Sequence, residues 1–481
     1  MAAAEAAKGC SRWTMTCLAV SLLVSASCLE SYVALARTTI EYLPGFNGRL
    51  PFKFETGYVG VGEREDVQLF YYFFESENNP EEAPLLLWLT GGPGCSTISA
   101  IFYENGPIQF EEVKYNGSLP RLTSRPYSWT EVVNLIYVDM PVGTGFSYSV
   151  TGAASHSSDT IASHHANEFL RKWIIGHPKF ISNPVYLAGD SYSGLTLPVY
   201  FDQLSKGNDQ GVEPIINLKG YLLGNAVTDH TFEENSGIPY AHGLGLISDE
   251  LYESLVSTCG GNYQFTLATS YECMTNLGAF YESLAGVNTV HILEPVCGFG
   301  SLFPRETLVG ARRSLYFKEI PIKPIQPKPS LGDFACRADG YTLAAVWFND
   351  LRVREALGVR KGTTGLWVRC NYALNYTNDN PSSLPYHLKF SAKGYRFLIY
   401  SGDHDLVVPF VGTQAWIRSL NYSIVDDWRS WHVEGQVAGF TRTYSNRMTF
   451  ATVKGAGHTA PEYKPKECAA MFKRWLRGEP L

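Results

Sequence analysis

One serine of the chain stands in a setting that could make it a nucleophile. The apolar run Val185–Ala188 leads into Gly189-Asp190-Ser191-Tyr192-Ser193-Gly194, and a stretch compatible with a helix follows. Small residues two positions to either side of Ser191 permit the tight strand-to-helix turn that lifts a serine hydroxyl out of a sheet edge. Because a serine alone is a poor nucleophile, this interpretation requires a base and an acid elsewhere in the chain.

Two later segments offer a base and an acid for this serine. One strand-like run leads into the polar turn Asp403-His404-Asp405, and another ends on His458 after Gly455-Ala-Gly. The chain order Ser191, Asp405, His458 is that of the catalytic triad in α/β-hydrolases and differs from the orders in two other protease folds. The sequence therefore predicts Ser191 as the nucleophile, His458 as its general base and Asp405 as the orienting acid.

Asp403 competes with Asp405 for the role of the acid. We prefer Asp405 because the acid of hydrolases tends to precede a segment like Leu406–Pro409, which leaves Asp403 as a turn residue. His404 has no partner visible in the sequence, and we expect it to face solvent or to pack.

The composition argues against several other classes of function. The chain has 481 residues, enough for a large core, and a net charge of -7 without a basic stripe, so nothing indicates nucleic-acid binding. No Cys-x-x-Cys pair occurs, which argues against a structural zinc site. We expect neither a metal nor a cofactor.

The first 36 residues have the pattern of a secretory signal peptide. Lys8 and Arg12 precede the apolar run Cys17–Leu29, which is too short to cross a bilayer comfortably. Ala34-Leu-Ala36 is a candidate cleavage site, with an uncleaved anchor as the alternative.

A secretory route would allow the cysteines to form disulfides and three asparagines to be glycosylated. Three of the ten cysteines lie in the signal, so the mature chain has an odd number and one is expected to be unpaired. Asn116, Asn375 and Asn421 begin glycosylation triplets, which indicates exposed loops.

Strand-like and helix-like runs alternate along most of the chain, which predicts an α/β fold. The predicted strands include Pro84–Leu89, Val132–Val138 and Asn217–Gly224. Apolar residues recur at helical spacing from Asp159 to Ile175, and Gly176-His-Pro178 ends that helix.

The alternation defines a core in two portions, 37–229 and 341–481, separated by an insertion at 230–340. Ligands of such folds bind at the carboxyl ends of the strands, so we expect the insertion to form a cap over the site. Residues 304–329 are rich in proline and basic residues and should be exposed. They are either a solvated loop of the cap or a linker that proteolysis removes to leave two chains.

Six motifs distributed between residues 40 and 478 resemble the serine carboxypeptidase family. They are Leu43-Pro-Gly-Phe-Asn-Gly48, Trp88-Leu-Thr-Gly-Gly-Pro-Gly-Cys-Ser96, Asp139-Met-Pro-Val-Gly-Thr-Gly-Phe-Ser-Tyr148, Gly189-Asp-Ser-Tyr-Ser-Gly194, Ser401-Gly-Asp-His-Asp405 and Gly455-Ala-Gly-His458. The resemblance implies an α/β-hydrolase fold with a central, mostly parallel sheet, helices on both faces and an inserted cap. It also implies an oxyanion hole from the backbone N–H of Gly92, and the residue after an elbow serine, Tyr192, donates the second N–H.

The resemblance also bears on the substrate. Carboxypeptidases of the family usually have Asn at the position of Thr90 and Glu at that of Asp190, and with a glutamate matching Glu104 these side chains bind the C-terminal carboxylate of a peptide. Here the amide donor is lost and the acid is one methylene shorter, which should weaken carboxylate binding by about 1–3 kcal/mol. Thr90, Gly91, Glu104 and Asp190 are therefore expected at the substrate site.

The same replacements occur in the plant serine carboxypeptidase-like acyltransferases, which move an acyl group from a 1-O-β-glucose ester to an alcohol or amine. The resemblance favours this activity, in plant specialised metabolism, with a small acyl glucose and a small acceptor as partners. A serine carboxypeptidase acting on peptides at acid pH is the alternative. A catalytically silent binding protein is disfavoured by the complete Ser-Asp-His set.

The family resemblance further implies three disulfides, and a secretory route implies a cellular location. The pairs are Cys95–Cys370, Cys259–Cys273 and Cys297–Cys336, which leave Cys468 unpaired. The third pair would hold two chains together after excision of the linker, so we expect a monomer or a processed two-chain protein. The expected location is the secretory pathway, ending in the vacuole or, alternatively, outside the cell.

Overall fold

The computed structural model describes residues 36–111, 115–264, 270–296 and 337–481. The strands are β1 (Ala36–Ile40), β2 (Phe54–Val61), β3 (Val67–Phe74), β4 (Leu85–Leu89), β5 (Ile108–Phe110), β6 (Leu122–Ser124), β7 (Asn134–Val138), β8 (Tyr148–Ser149), β9 (Ser157–Ser158), β10 (Val185–Asp190), β11 (Leu218–Gly224), β12 (Tyr376–Thr377), β13 (Arg396–Gly402), β14 (Ile424–Val433), β15 (Gln436–Tyr444) and β16 (Met448–Val453). The α-helices are Asp159–Gly176, Ser193–Asp209, His230–Glu234, Gly237–Gly243, Asp249–Cys259, Tyr271–Ser283, Arg337–Asn349, Leu351–Ala356, Leu384–Ala392, Phe410–Ser419, Ala460–Tyr463 and Pro465–Arg477.

One large sheet organises the described part of the chain, in the strand order β1-β2-β3-β7-β4-β10-β11-β13-β16-β15-β14. The six central strands from β7 to β16 are parallel, and the strands at both edges pair antiparallel. The predicted fold class is confirmed. The antiparallel edges complete a sheet whose parallel centre positions the candidate catalytic residues.

Burial on both faces explains the continuous apolar character of the central strands. Every residue of β4, β7 and β10 is buried, as is typical of parallel strands covered by helices on either side. The helices Asp159–Gly176 and Ser193–Asp209 pack on one face. The helix Pro465–Arg477 packs on the other face, together with Arg337–Asn349.

The chain between β11 and β13 adds helices rather than central strands. Helices from Gly237 to Ser283 form a small apolar cluster of their own that includes Leu255 and Phe280, and it extends to Leu406 beside the predicted acid. Residues 341–395, which the sequence assigns to the second core portion, contribute one short strand, β12, which pairs with β9 outside the large sheet. They also contribute helices whose apolar side chains pack in both hydrophobic cores.

Several sequence-based predictions concern residues outside those that the structure describes. They are the signal peptide at 1–36 apart from its last residue, the linker at 304–329 and the pair Cys297–Cys336. Among the described residues, no helix combines the length and the apolar character that crossing a membrane requires.

The ring of Phe472 provides a test of the packing between the C-terminal helix and the sheet. This side chain is fully buried and stacks on Trp129 with 4.1 Å between ring centroids. Phe472→Ala should lower the free energy of unfolding by about 3–5 kcal/mol, because it removes apolar burial and leaves a cavity. Urea denaturation followed by circular dichroism measures this loss. Arg477→Ala, an exposed position of the same helix, is the control and should change stability by less than about 0.5 kcal/mol.

Candidate active site

The candidate catalytic residues lie where neighbouring parallel strands end. Ser191 follows β10, Asp405 follows β13 and His458 follows β16. Since these strands lie in one parallel array, their carboxyl ends open onto the same edge of the sheet. The sheet order therefore brings together side chains that are more than 200 positions apart in the sequence.

The turn at Ser191 has the strained geometry of a nucleophile elbow. Its φ is 56°, a left-handed conformation that is uncommon for residues other than glycine. A side chain at Gly189 would come within 2.3 Å of the Leu89 carbonyl oxygen, and one at Gly194 within 2.4 Å of the Val227 carbonyl oxygen. The small residues around the serine are therefore required by close backbone approaches from two neighbouring segments.

The three predicted triad side chains form a continuous hydrogen-bonded chain. His458 Nε2 lies 2.9 Å from Ser191 Oγ, and His458 Nδ1 lies 2.8 Å from Asp405 Oδ2. The imidazole can thus accept the serine proton at one nitrogen while the carboxylate holds the other. This is the geometry that general-base activation of a serine requires.

Asp405 is fully buried and receives hydrogen bonds from three segments. Besides His458, its carboxylate accepts a bond of 2.9 Å from Asn225 Nδ2 and one of 2.7 Å from the backbone N–H of Val407. Asn225 follows β11, and its Oδ1 accepts from the N–H of Gly402. Sequence reasoning missed Asn225; the only available signal was a polar residue directly after a central strand.

Asp403, the competing acid, belongs to the turn. Its Oδ1 accepts a bond of 2.7 Å from the N–H of Gly455 and lies 2.6 Å from Nδ1 of His404. The sequence predicts that His404 faces solvent or packs, and the structure shows it packed, with a partner that was not visible in the sequence. Its ring pairs with Asp403 and also stacks with His291 at 5.5 Å between centroids.

A segment from the predicted cap contacts both catalytic turns through its backbone. The N–H of His458 donates to Val290 O at 2.8 Å, and the N–H of Leu406 donates to Thr289 O at 2.9 Å. The N–H of Ile292 donates to His404 O at 3.1 Å. Residues 289–292 therefore lie between the turn that carries the acid and the turn that carries the histidine.

The glycine loop after β4 lies directly against the elbow. A Cβ at Gly91 would lie 2.6 Å from the backbone nitrogen of Tyr192, so only glycine permits this approach. Gly92 follows with a φ of +125°. The two segments expected to provide the oxyanion-hole donors are thus adjacent, which is the arrangement that stabilising a tetrahedral oxyanion requires.

The two acids expected at the substrate site, Asp190 and Glu104, are buried beside the same loop. Asp190 Oδ1 accepts a bond of 3.2 Å from the N–H of Gly91, and burial raises the pKa of Asp190 to about 6. Burial, followed by the nearby charges of Asp190 and Glu462, raises the pKa of Glu104 well above its ordinary value. Neither carboxyl oxygen of Glu104 has a hydrogen-bond partner among the described residues. Thr90 Oγ1 accepts a bond of 3.2 Å from the indole of Trp88.

An aromatic cleft opens beside these residues. Thr90, Met140, Tyr192, Tyr200 and Tyr376 are among the side chains that line it. Its walls combine aliphatic and aromatic side chains with tyrosine, threonine and serine hydroxyl groups, so polar and apolar surface are about equal. Among the described residues, no group of three or more His, Cys, Asp or Glu side chains is arranged to hold a metal ion.

Two of the three expected disulfides lie within the described residues and are formed. Cys95 is bonded to Cys370, and Cys259 is bonded to Cys273. Cys468 is buried and free. The disulfides fit a protein of the secretory pathway, and the three candidate glycosylation sites, Asn116, Asn375 and Asn421, are all exposed.

The fold and the side chains at its strand ends define a serine hydrolase-type enzyme. Comparison with protein families gives a finer class: the serine carboxypeptidase model matches residues 44–478. Serine carboxypeptidase-like 17 of Arabidopsis thaliana is 50% identical over 92% of this chain and 94% of its own length. Serine carboxypeptidase-like 1 of the same plant is 52% identical over 92% of this chain and 93% of its own. The chain belongs to the serine carboxypeptidase family.

A solved structure agrees on the fold. The prohormone-processing carboxypeptidase of Saccharomyces cerevisiae superposes with a TM-score of 0.69, covering 89% of this chain and 92% of its own. Its sequence identity is only 19%, so the likeness concerns the fold alone.

Asn225 offers a test of the support behind the triad. Asn225→Ala removes one of the donors to the buried Asp405 carboxylate, so the carboxylate should hold the imidazole less firmly and kcat should fall by about tenfold. Steady-state hydrolysis of a small activated ester measures the change. The control is Asn217→Ala, whose amide donates to Ser182 O outside the site; an equal loss in both variants would contradict a role at the site.

Proposed function

We propose that this protein is an acyltransferase that moves an acyl group from a 1-O-β-glucose ester to an alcohol or amine through an acyl-enzyme on Ser191. The observation that carries the proposal is the pair of residues beside the nucleophile, Thr90 and Asp190. Both depart from the set with which carboxypeptidases of this family bind a peptide carboxylate.

The first half of the reaction forms the acyl-enzyme. Ser191 Oγ attacks the ester carbonyl while His458 Nε2 takes its proton, and Asp405 stabilises the resulting imidazolium. The backbone N–H groups of Gly92 and Tyr192 stabilise the oxyanion. When the tetrahedral intermediate collapses, the bond to the glucose oxygen breaks, and His458 donates its proton to that oxygen.

The second half transfers the acyl group to the acceptor. An alcohol or amine takes the place of glucose, and His458 removes its proton as it attacks the acyl carbonyl. Collapse of the second tetrahedral intermediate releases the product and restores the Ser191 hydroxyl. Transfer exceeds hydrolysis when the acceptor fills the site and water is kept out.

The surroundings of Thr90 and Asp190 favour a neutral donor over a peptide carboxylate. The Thr90 hydroxyl lies against the Trp88 indole, so this position presents no amide to a carboxylate. Asp190 is engaged by the N–H of Gly91, and Glu104 has no hydrogen-bond partner among the described residues. A glucose ester has no negative charge and needs no such clamp.

A serine carboxypeptidase remains the second candidate because of one observation. Asp190 and Glu104 are both buried, and the pKa of each is raised. At acid pH both would be protonated, and a protonated carboxyl can donate a hydrogen bond to the C-terminal carboxylate of a peptide.

The partners and the compartment are part of the proposal. We propose small-molecule donors and acceptors, no nucleic-acid or membrane partner after removal of the signal, and a vacuolar location. The net charge of -7 supports the absence of a nucleic-acid partner. The two disulfides and the exposed glycosylation triplets support passage through the secretory pathway.

The activity itself is tested by comparing two substrate classes. The purified protein should transfer acyl groups from at least one member of a panel of acyl glucoses to alcohols or amines, as chromatography with mass detection would show. A blocked dipeptide should be cleaved far more slowly. Ser191→Ala should abolish transfer while circular dichroism shows an unchanged fold, because the nucleophile is lost. Peptide cleavage without acyl transfer would instead establish the carboxypeptidase.

The raised pKa of Asp190 predicts a pH dependence that separates charged from neutral ligands. Above about pH 6 the side chain becomes negative and repels a carboxylate, so the inhibition constant of a blocked dipeptide should rise about fivefold from pH 6 to pH 7. The KM of a neutral acyl ester should stay nearly constant over the same range. In the Asp190→Asn variant, the inhibition constant of the dipeptide should lose most of this pH dependence. A pH profile identical to that of the unchanged protein would contradict the assignment of the dependence to Asp190.

A further inference from the structure

One continuous segment contacts both halves of the expected oxyanion hole. We call residues 369–383 the strap. At its start, the strap is bonded to the glycine loop after β4 by the disulfide Cys95–Cys370. Two backbone bonds of 2.8 Å, from Ser96 N to Arg369 O and from Asn371 N to Gly94 O, flank that disulfide. This end of the strap therefore holds the loop that contains Gly92.

The other end of the strap holds the start of the helix that follows the nucleophile. Asn380 Nδ2 donates to Leu195 O at 2.7 Å, and Ser383 Oγ donates to Gly194 O at 2.7 Å. Both acceptors lie within four residues of Ser191. The same segment thus reaches from the glycine loop to the elbow, which lie almost 100 residues apart along the chain.

A buried carboxylate connects the strap to the residue after the nucleophile. Asp159 Oδ1 accepts from the hydroxyl of Tyr192 at 2.9 Å and from the hydroxyl of Tyr376 at 2.8 Å. Asp159 Oδ2 accepts from the backbone N–H groups of Asp379 and Asn380 at 2.8 and 2.9 Å. Three of these four donors belong to the strap and the fourth belongs to Tyr192. Asp159 itself is fully buried.

We propose that the strap sets the separation of the two oxyanion donors, Gly92 and Tyr192, and that Asp159 is a positioning residue that holds Tyr192 to the strap. This inference rests on the proposed role of Ser191 as an acylated nucleophile. It requires neither an acyl glucose nor a particular acceptor.

The distances that an oxyanion hole requires explain why the strap would affect the reaction rate. Oxyanion donors act when they lie about 2.7–3.1 Å from the developing negative charge, and a misplacement of about 1 Å can cost a hundredfold in rate. The two donors come from separate turns, after β4 and after β10. The pairing of β4 with β10 and the bond from the Gly91 N–H to Asp190 Oδ1 hold these turns side by side, and a second connection further limits how far the two donors can shift apart. The strap supplies that connection by a covalent bond at one end and by Asp159 at the other.

The test removes single hydroxyl groups and leaves every backbone donor in place. The variants are Tyr192→Phe, on the elbow side of Asp159, and Tyr376→Phe, on the strap side. The control is Tyr71→Phe, which removes a buried hydroxyl bonded to a different carboxylate, Glu55, at 2.7 Å. The substrate is p-nitrophenyl acetate, whose acylation step reports on the oxyanion hole whatever the natural acyl donor is.

The expected result is a loss of rate without a loss of binding. Tyr192→Phe and Tyr376→Phe should each lower the acylation rate constant by about tenfold or more, with KM changed by less than about twofold. The pH dependence of acylation should keep its midpoint, because Asp405 and His458 are untouched. Tyr71→Phe should retain the full rate. The change in its melting temperature measures how much stability is lost with one buried hydroxyl group, for comparison with the other two variants.

The outcomes separate this inference from the proposed function. If the unchanged protein acylates on Ser191 and both tyrosine variants react as fast as Tyr71→Phe, the inference is overturned and the proposed nucleophile stands. If Ser191→Ala reacts as fast as the unchanged protein, the nucleophile is wrong and the inference falls with it. Should Tyr192→Phe fail to fold, Tyr376→Phe decides alone, since its hydroxyl lies on the strap.

Discussion

The buried carboxylate of Asp405 is the constraint on which the rest of the site depends. An ionised group with no exposed surface is costly unless donors surround it. Its donors come from His458 after β16, from Asn225 after β11 and from the adjacent turn after β13. The parallel array places β11, β13 and β16 side by side, so the donors that follow these strands reach one point. The geometry of the triad therefore depends on the order of the strands in the central sheet.

Local sequence could predict the features that local physics dictates. Continuous apolar runs predicted the central strands because parallel strands are buried on both faces. The small residues around Ser191 predicted the elbow because a tight turn excludes larger side chains. Asn225 could not be found in this way, since its bond to Asp405 exists only through the neighbouring positions of β11 and β13. The stacking of His404 on His291 depends likewise on a tertiary contact, whereas its bond to Asp403 joins adjacent residues of one turn.

The proposed substrate site combines two opposing chemical tendencies. The acids Asp190 and Glu104 retain the burial that favours protonated carboxyls, a property useful for binding a carboxylate at acid pH. Thr90 presents only a hydroxyl that is engaged by Trp88. The catalytic machinery is indifferent to this choice, because a serine, a histidine and an oxyanion hole process peptides and esters alike. In the proposed enzyme, selectivity is thus concentrated in a few side chains at the edge of the acylation centre.

The backbone hydrogen bonds of residues 289–292 connect the region between β11 and β13 to the catalytic turns, so this region cannot be exchanged independently of those turns. These residues hold the turns of Asp405 and His458 through Thr289, Val290 and Ile292, and a Cβ at Gly457 would lie 2.3 Å from the Val290 carbonyl oxygen. An exchange of this region between relatives, made to change acceptor preference, would thus also exchange part of the catalytic framework. A chimera that keeps residues 288–294 with the parent core separates the two, provided that it also keeps Tyr240, whose hydroxyl donates to Asp403 O at 2.8 Å, and the apolar contacts with Leu406.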